Sequence, residues 1–178
     1  MIRLFTAVTL PEQIIRRLGL LGGGIPGARW VAAENLHMTL RFIGDVDSRT
    51  ADQAHQSLRE VAFAPFDLQL RNVEIFGDRR PRLLYAGVEP SEPLMALYAR
   101  INAAHGRAGL PPPEERRYVP HVTLARLRNP PRDRLAAFIA AHNILALPAF
   151  RVENFALMSS HRSAAGASYQ IEALYPCG

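Results

Sequence analysis

The chain has no lysine. All 21 of its basic residues are arginine, set against 16 acidic ones for a formal net charge of +5. Cationic side-chain contacts that outlast neutral pH therefore come from planar guanidinium forks, which match phosphate oxygens better than an ammonium group does. A basic surface of this kind favours anionic partners, nucleic acid foremost. Cysteine is almost as scarce. The one thiol, Cys177 beside the C-terminus, excludes a disulfide framework and any cysteine-built metal centre, and it fits a reducing compartment. No apolar run approaches membrane-spanning length, and the opening MIRLFTAVTL is too short and polar for a secretory signal. The sequence thus predicts a cytoplasmic protein with no membrane attachment. Low-complexity segments and short-period repeats are absent as well. What is present is 178 residues, 48% of them hydrophobic, enough for one compact domain or two small lobes sharing a core.

Residues 3–10 read as a strand. In PEQIIRRLGLLGGG, Pro11 suits a first helical turn, Ile14, Ile15, Leu18 and Leu21 share a face, and Gly22 to Gly24 end the helix. ENLHMTLRFIG alternates as a strand, with Leu36, Met38, Leu40 and Phe42 on one side and His37, Thr39 and Arg41 on the other. SRTADQAHQSLREVAF places Ala51, Ala54, Leu58 and Val61 at helical spacing, with Thr50 and Gln53 as a capping box. FDLQLRNV reads as one alternating strand and RLLYAGV as a second. Ser91 caps a helix with the face Leu94, Tyr98, Ile101 and His105, stopped by Gly109. The stiff LPPPEERR leads into the strand YVPHVTLARL, and Pro131 opens a helix bearing Leu135, Phe138 and Ile139. Two closing strands, near 149–158 and 168–175, are joined by SSHRSAAGA. Clusters of strands separated by single helices predict an α+β fold with a mainly antiparallel sheet.

One long-period repeat stands out. LHMTLRF at 36–42 returns as PHVTLAR at 120–126, with His-x-Thr-Leu common to both. Residues i and i+2 of a strand project from the same face, so each copy presents an imidazole and a hydroxyl together. Facing each other across a cleft, the copies would put two imidazoles and two hydroxyls around one small anion. Imidazole titrates near neutrality, so one ring can serve as acid while the other serves as base. The hydroxyls can donate to non-bridging phosphate oxygens. That is equipment for hydrolysing a phosphodiester without metal.

These paired motifs resemble the two-histidine (2H) phosphoesterase superfamily, and within it the RNA 2′,3′-cyclic phosphodiesterases, also called 2′-5′ RNA ligases. The likeness runs nearly end to end, through RLFTAVTLPE, ARWVAAENLHMTLRFIGDV, RRPRLLYAGV, RYVPHVTLARL and MSSHRS. It implies a bilobal α+β fold, two similar lobes each with an antiparallel sheet, forming a single domain over 1–178 with one motif per lobe at 37–40 and 121–124. It implies hydrolysis of RNA 2′,3′-cyclic phosphate ends to 2′-phosphomonoesters with no metal or other cofactor, and reversible 2′-5′ joining of RNA ends. By position, His37 resembles the proton donor, His121 the proton acceptor, and Thr39 and Thr123 the phosphate-binding hydroxyls. Arg126 matches an arginine at the ribose-phosphate and Phe42 an aromatic against the base. The implied partner is RNA bearing 2′,3′-cyclic phosphate termini, tRNA fragments included, acted on by a monomer.

Strict alternation conflicts with two of these matches. It puts Phe42 with Met38 and Leu40, and Arg126 with Leu124, away from the histidines, unless the strands bend or end there. Elsewhere, His105 is expected as a hydrogen-bonded core residue, His55 as solvated, and His142 as a cation suited to a helix C-terminus. His161, in an arginine-containing turn, and the clusters GDRRPR and EERRYV are solvated loops or RNA contacts. Two other functions stay open. A metal hydrolase lacks a recognisable ligand spacing, and a non-catalytic RNA-binding module would not need histidines in both motifs.

Overall fold

The computed structural model describes every residue except 78, 114–116 and 164–165, with the side chains of 162, 163 and 166 also left aside. In chain order the elements are β1 (Ile2–Thr9), α1 (Glu12–Gly19), β2 (Ala28–Trp30), β3 (His37–Val46), α2 (Ser48–Leu58), β4 (Phe66–Leu68), β5 (Leu70–Phe76) and β6 (Leu83–Val88). They continue with α3 (Glu92–Arg107), β7 (His121–Leu127), α4 (Arg132–His142), β8 (Phe150–Val152), β9 (Asn154–Ser163) and β10 (Gly166–Pro176). The α+β expectation holds, and every described strand pairing is antiparallel.

The main sheet runs β10-β9-β1-β3-β7-β6-β5, with β2 added to β7. It has two halves. β10, β9, β1 and β3 form one, and β7, β6, β5 and β2 the other. They meet where β3 pairs β7 through one register pair, Met38 opposite Val122, both fully buried. The two His-x-Thr strands are therefore neighbours at the seam. All four helices pack on one face, where Ile14, Leu18, Leu58, Leu94, Leu97, Ile101 and Leu135 join Leu4, Val8, Met38, Leu40, Leu84, Val122 and Leu124 in a single apolar core. Among the described residues, the opposite face carries only a small cluster, Phe5, Ala7, Ala156 and Met158, with Tyr169 against it. No described helix is long and apolar enough to cross a membrane.

Local chemistry adjusted three expectations. FDLQLRNV is two strands, because the chain changes sheets at Gln69: β4 pairs β8 in a separate ribbon while β5 pairs β6. Gln69 ties the crossing by donating to the Leu147 carbonyl at 3.0 Å. Helix α2 is capped by Asp47, whose carboxylate accepts from the Thr50 amide at 2.8 Å, in place of the Thr50–Gln53 box; an acidic oxygen there satisfies an amide that the helix itself leaves free. His105 is fully buried as expected, but neither ring nitrogen has a hydrogen-bond partner. Burial, aided by the nearby Arg41 cation, pushes its pKa down to about 4, so the ring is neutral at physiological pH.

Both motif strands break alternation at the same place. Along β1, Thr6 is opposite Arg41 and Ala7 is opposite Thr39, so Leu40 is an extra residue in β3. Along β6, Leu84 is opposite Ala125 and Tyr85 is opposite Thr123, so Leu124 is the extra residue in β7. These are β-bulges. Each lets two consecutive residues turn inward, Leu40 with Arg41 and Leu124 with Ala125, all buried. The following residue, Phe42 or Arg126, then returns to the face of the histidine and threonine, and both are exposed. Thr6 secures the first bulge: its buried Oγ1 accepts from the Arg41 amide at 3.1 Å. Replacing Thr6 with valine keeps the shape but orphans that amide, and should destabilise the fold by about 1–3 kcal/mol in urea unfolding. A loss below about 0.5 kcal/mol, the range of an ordinary surface change, would show that the hydroxyl does not hold the bulge.

Candidate active site

The bulges gather the motif residues at one cleft on the sheet face opposite the described helices. Its lining includes His37, Thr39 and Phe42 from β3, Thr123 and Arg126 from β7, Arg3 and Phe5 from β1, and Tyr169 from β10. His121 is not part of the lining itself. It stands beside it, two residues before Thr123 on the same strand face, close enough for its charge to act on His37. The structure thus brings His37, Thr39, Thr123, Phe42 and Arg126 into one cleft with His121 at its margin.

Both imidazoles are oriented in the same way. His37 Nδ1 lies 2.7 Å from the Asn35 carbonyl, and His121 Nδ1 lies 2.7 Å from the Val119 carbonyl. A carbonyl only accepts, so Nδ1 carries the proton in each neutral ring and Nε2 is left with its lone pair for a ligand. Each ring is also clamped by two aromatics. Phe5 lies against His37 at 4.9 Å, and Tyr169 meets it edge-on at 4.9 Å. Phe76 and Tyr85 meet His121 edge-on at 4.9 and 5.3 Å, and are themselves stacked at 4.2 Å. Tyr85 is fixed in turn by donating to Glu74 Oε2 at 2.9 Å.

These surroundings set the electrostatics. Desolvation pushes both histidines below their ordinary pKa, outweighing the carbonyl bonds that favour the charged form. At His37 the charge of His121 adds to the effect, so a second proton on the pair is opposed by the first. An anion in the cleft would reverse that balance and draw a proton onto the pair.

Phe42, 47% exposed, is the large apolar surface the cleft offers. Phe5 stacks parallel to it at 6.0 Å, and the Arg3 guanidinium sits 5.7 Å from its ring centre. Arg3 is held there by two bonds to Asp45, at 3.1 and 2.8 Å. Tyr118 donates to the Thr39 carbonyl at 3.0 Å, tying the segment that leads into His121 to the other motif strand.

The remaining sequence candidates lie outside the cleft. His55 is exposed, with Nδ1 2.7 Å from the Tyr175 hydroxyl, and His142 ends α4 with Nδ1 donating to the Phe138 carbonyl at 2.8 Å. His161 bonds Ser159 Oγ at 3.0 Å. In GDRRPR, Arg79, Arg80 and Arg82 are exposed and residue 78 lies outside the described residues; in EERRYV, residues 114–116 lie outside them and Arg117 is exposed. Among the described residues, no three of His, Cys, Asp or Glu form a group that could hold a metal ion. Sequence reasoning missed Phe5, Tyr169, Phe76, Tyr85 and Arg3. They come from four other strands, and strand patterning marks them only as ordinary aromatic and basic positions.

The sequence model of the 2′-5′ RNA ligase superfamily matches residues 15–164. The chain belongs to that superfamily. This superfamily member is 30% identical over 176 residues to the RNA 2′,3′-cyclic phosphodiesterase of Methanothermobacter thermautotrophicus, spanning 94% of the chain and 95% of that relative. It is 29% identical over 147 residues to the RNA 2′,3′-cyclic phosphodiesterase of Aquifex aeolicus, spanning 80% and 78%. A crystal structure from Thermus thermophilus matches with a TM-score of 0.80 at 26% identity, covering 98% of this chain and 97% of that one. Apo LigT of E. coli matches with a TM-score of 0.80 at 23% identity over 99% and 97%, a likeness of fold. The resemblance drawn from the two His-x-Thr motifs holds at the level of family and fold.

The histidine environment can be read directly by NMR. In the free protein, the Cε1 protons of His37 and His121 should titrate with midpoints below the ordinary value of 6.5, leaving both rings neutral at physiological pH. Saturating inorganic phosphate should move at least one midpoint upward. Midpoints above 6.5 in the free protein, or no response to phosphate, would contradict the electrostatics described for the cleft.

Proposed function

We propose that the protein hydrolyses RNA 2′,3′-cyclic phosphate ends to 2′-phosphomonoesters, using His37 and His121 as an acid–base pair and no metal. The observation that carries this reading is the duplicated frame: two imidazoles, each with Nδ1 held on the carbonyl two residues before it, serving one cleft that two threonines line. The names of the curated relatives support the same substrate.

In this mechanism the cyclic phosphate sits between the strands. Thr39 and Thr123 donate to its non-bridging oxygens and offset the charge that grows as phosphorus becomes five-coordinate. Neutral His121 takes a proton from water at Nε2, and the water oxygen forms a bond to phosphorus. The bond from phosphorus to the 3′ oxygen breaks as protonated His37 gives its proton to that oxygen. The product keeps its phosphate on the 2′ oxygen, and the proton now on His121 returns to His37 through solvent. Phe42 offers a stacking surface to the terminal base, and Arg126 faces the ribose-phosphate. A 5′ hydroxyl in place of water would follow the same route to a 2′-5′ linkage, so hydrolysis and reversible joining share one site. The whole chain, 1–178, acts as a single two-lobed catalytic domain. It needs no second subunit, since one chain supplies both pairs, and it works in the cytoplasm on RNA fragments, those of tRNA included.

Activity on a nucleoside 2′,3′-cyclic phosphate should survive exhaustive EDTA treatment; loss on chelation with recovery on adding zinc or manganese would favour a metal hydrolase. His37→Ala and His121→Ala should each lower the rate by about 10²–10⁴, the contribution typical of general acid–base catalysis. Folded variants that both retain near wild-type turnover would end the paired-histidine reading, and a wild type that binds RNA without turnover would favour a non-catalytic binding module.

The division of labour has its own test. A nitrophenolate leaves without protonation, whereas an alkoxide does not. His37→Ala should therefore be far less damaging on a nitrophenyl phosphodiester than on a cyclic phosphate, and His121→Ala comparably damaging on both. The reverse pattern would exchange the two roles.

A further inference from the structure

Strand β2 adds three residues to the outer edge of β7, in the register Ala28 to Leu127, Arg29 to Arg126 and Trp30 to Ala125. Two arginines are thus directly opposite each other on one face of the sheet. Partners in such a register have Cβ atoms about 4.5–5.5 Å apart, and like charges there are destabilising. The register is not slack. The Val31 amide donates to the Leu124 carbonyl at 2.8 Å, and the Arg128 amide donates to the Gly27 carbonyl at 3.0 Å. Gly27 itself has φ +79°, and any Cβ on it would meet the Arg128 carbonyl oxygen at 2.5 Å. This edge is built to hold the two cations together.

Both point to the cleft side. Alternation along β2 turns Trp30 toward the helices, where it packs on Phe138 with ring centres 5.6 Å apart, while Val31 and Arg126 line the cleft. Arg29 shares their face, on the outer flank of Arg126, and is exposed. Neither arginine makes an ion pair among the described residues, although Arg3, Arg16, Arg71, Arg107 and Arg151 each pair with a carboxylate. The cleft's other arginine, Arg3, is already neutralised by Asp45. Paired like charges without a counter-charge, at the end of a cleft, concentrate positive potential there, which an anion would relieve.

One cyclic phosphate carries a single negative charge, and in the proposed mechanism the two imidazoles and two hydroxyls already answer it. The arginine pair is left over. We propose that Arg29 and Arg126 together bind the phosphodiester preceding the terminal nucleotide, so that the site takes the end of an RNA chain in preference to a mononucleotide. This rests on the cyclic phosphodiesterase reading and extends it to the length of the substrate.

The test compares adenosine 2′,3′-cyclic phosphate with a short oligoribonucleotide ending in a 2′,3′-cyclic phosphate, on the wild type and on Arg29→Gln and Arg29→Lys. Arg29→Gln should raise KM for the oligonucleotide about tenfold with kcat retained, the scale of one charge-assisted hydrogen bond partly exposed to water. Its effect on the mononucleotide, which lacks the second phosphate, should be several-fold smaller, and Arg29→Lys should recover much of the loss. Oligonucleotide binding, followed by fluorescence anisotropy against salt, should lose about 0.7 from its log–log slope in Arg29→Gln, the share of one single-strand phosphate contact. Equal losses on both substrates, or an unchanged salt slope, would overturn the proposal. Turnover of neither substrate by the wild type would instead reject the phosphodiesterase reading, and the salt slope would still decide the role of Arg29.

Discussion

A regular strand delivers every second side chain to a face, and each motif strand makes three deliveries to the cleft side, the last of which regular spacing cannot make. Histidine and threonine, two apart, obey the pleat. The residue three beyond the threonine does not, and it reaches the cleft only because one extra residue is folded into the strand between them. In β3 that residue is Leu40 and in β7 it is Leu124. Without the bulges, Phe42 and Arg126 would point into the helix-packed core, where an arginine is expensive and an aromatic would displace existing packing. The cleft thus depends on two local irregularities, and the first has a dedicated support in the Thr6 hydroxyl.

The same frame is filled differently on its two sides. At the position after the bulge, one strand presents an aromatic surface and the other a cation. At the position before it, β3 buries Arg41 and β7 buries Ala125. Arg41 finds neutral acceptors, the Asn102 side chain at 3.1 Å and the Pro111 carbonyl, which anchor the end of α3 and the segment after it. The paired strands are thus alike in backbone and unlike in what they present to the cleft, an aromatic ring from β3 and a guanidinium from β7. The ring clamps differ too, with Tyr85 tied to Glu74 beside His121.

Much of this was legible in the sequence. The repeat His-x-Thr-Leu showed which residues belong together, because period-two projection is a property of any strand and needs no tertiary knowledge. Helix α3 was readable for a similar reason, since Ser91 and Gly109 are signals carried by the local chain. What stayed hidden was non-local. A bulge is defined by what lies opposite, and nothing within HMTLRF announces Thr6. The clamps on the histidines come from β1, β5, β6 and β10, and an isolated phenylalanine in an apolar run looks like core whichever face it takes. The cap of α2 was misplaced by a few residues because Asp47, Ser48 and Thr50 are all good capping residues and only the geometry of the preceding strand chooses among them. His105 was placed correctly by periodicity, while its lack of hydrogen bonds depends on neighbours from other elements.

The bonds that orient the imidazoles run from Nδ1 to main-chain carbonyls, at Asn35 in one strand and Val119 in the other. A carbonyl is supplied by every amino acid. The two positions already hold an amide and a branched hydrocarbon, and the ring geometry is the same. Replacing either side chain leaves the carbonyl, and with it the bond that orients the ring, in place, so an alignment ranked by side-chain identity would pass over two of the groups on which the histidines rely.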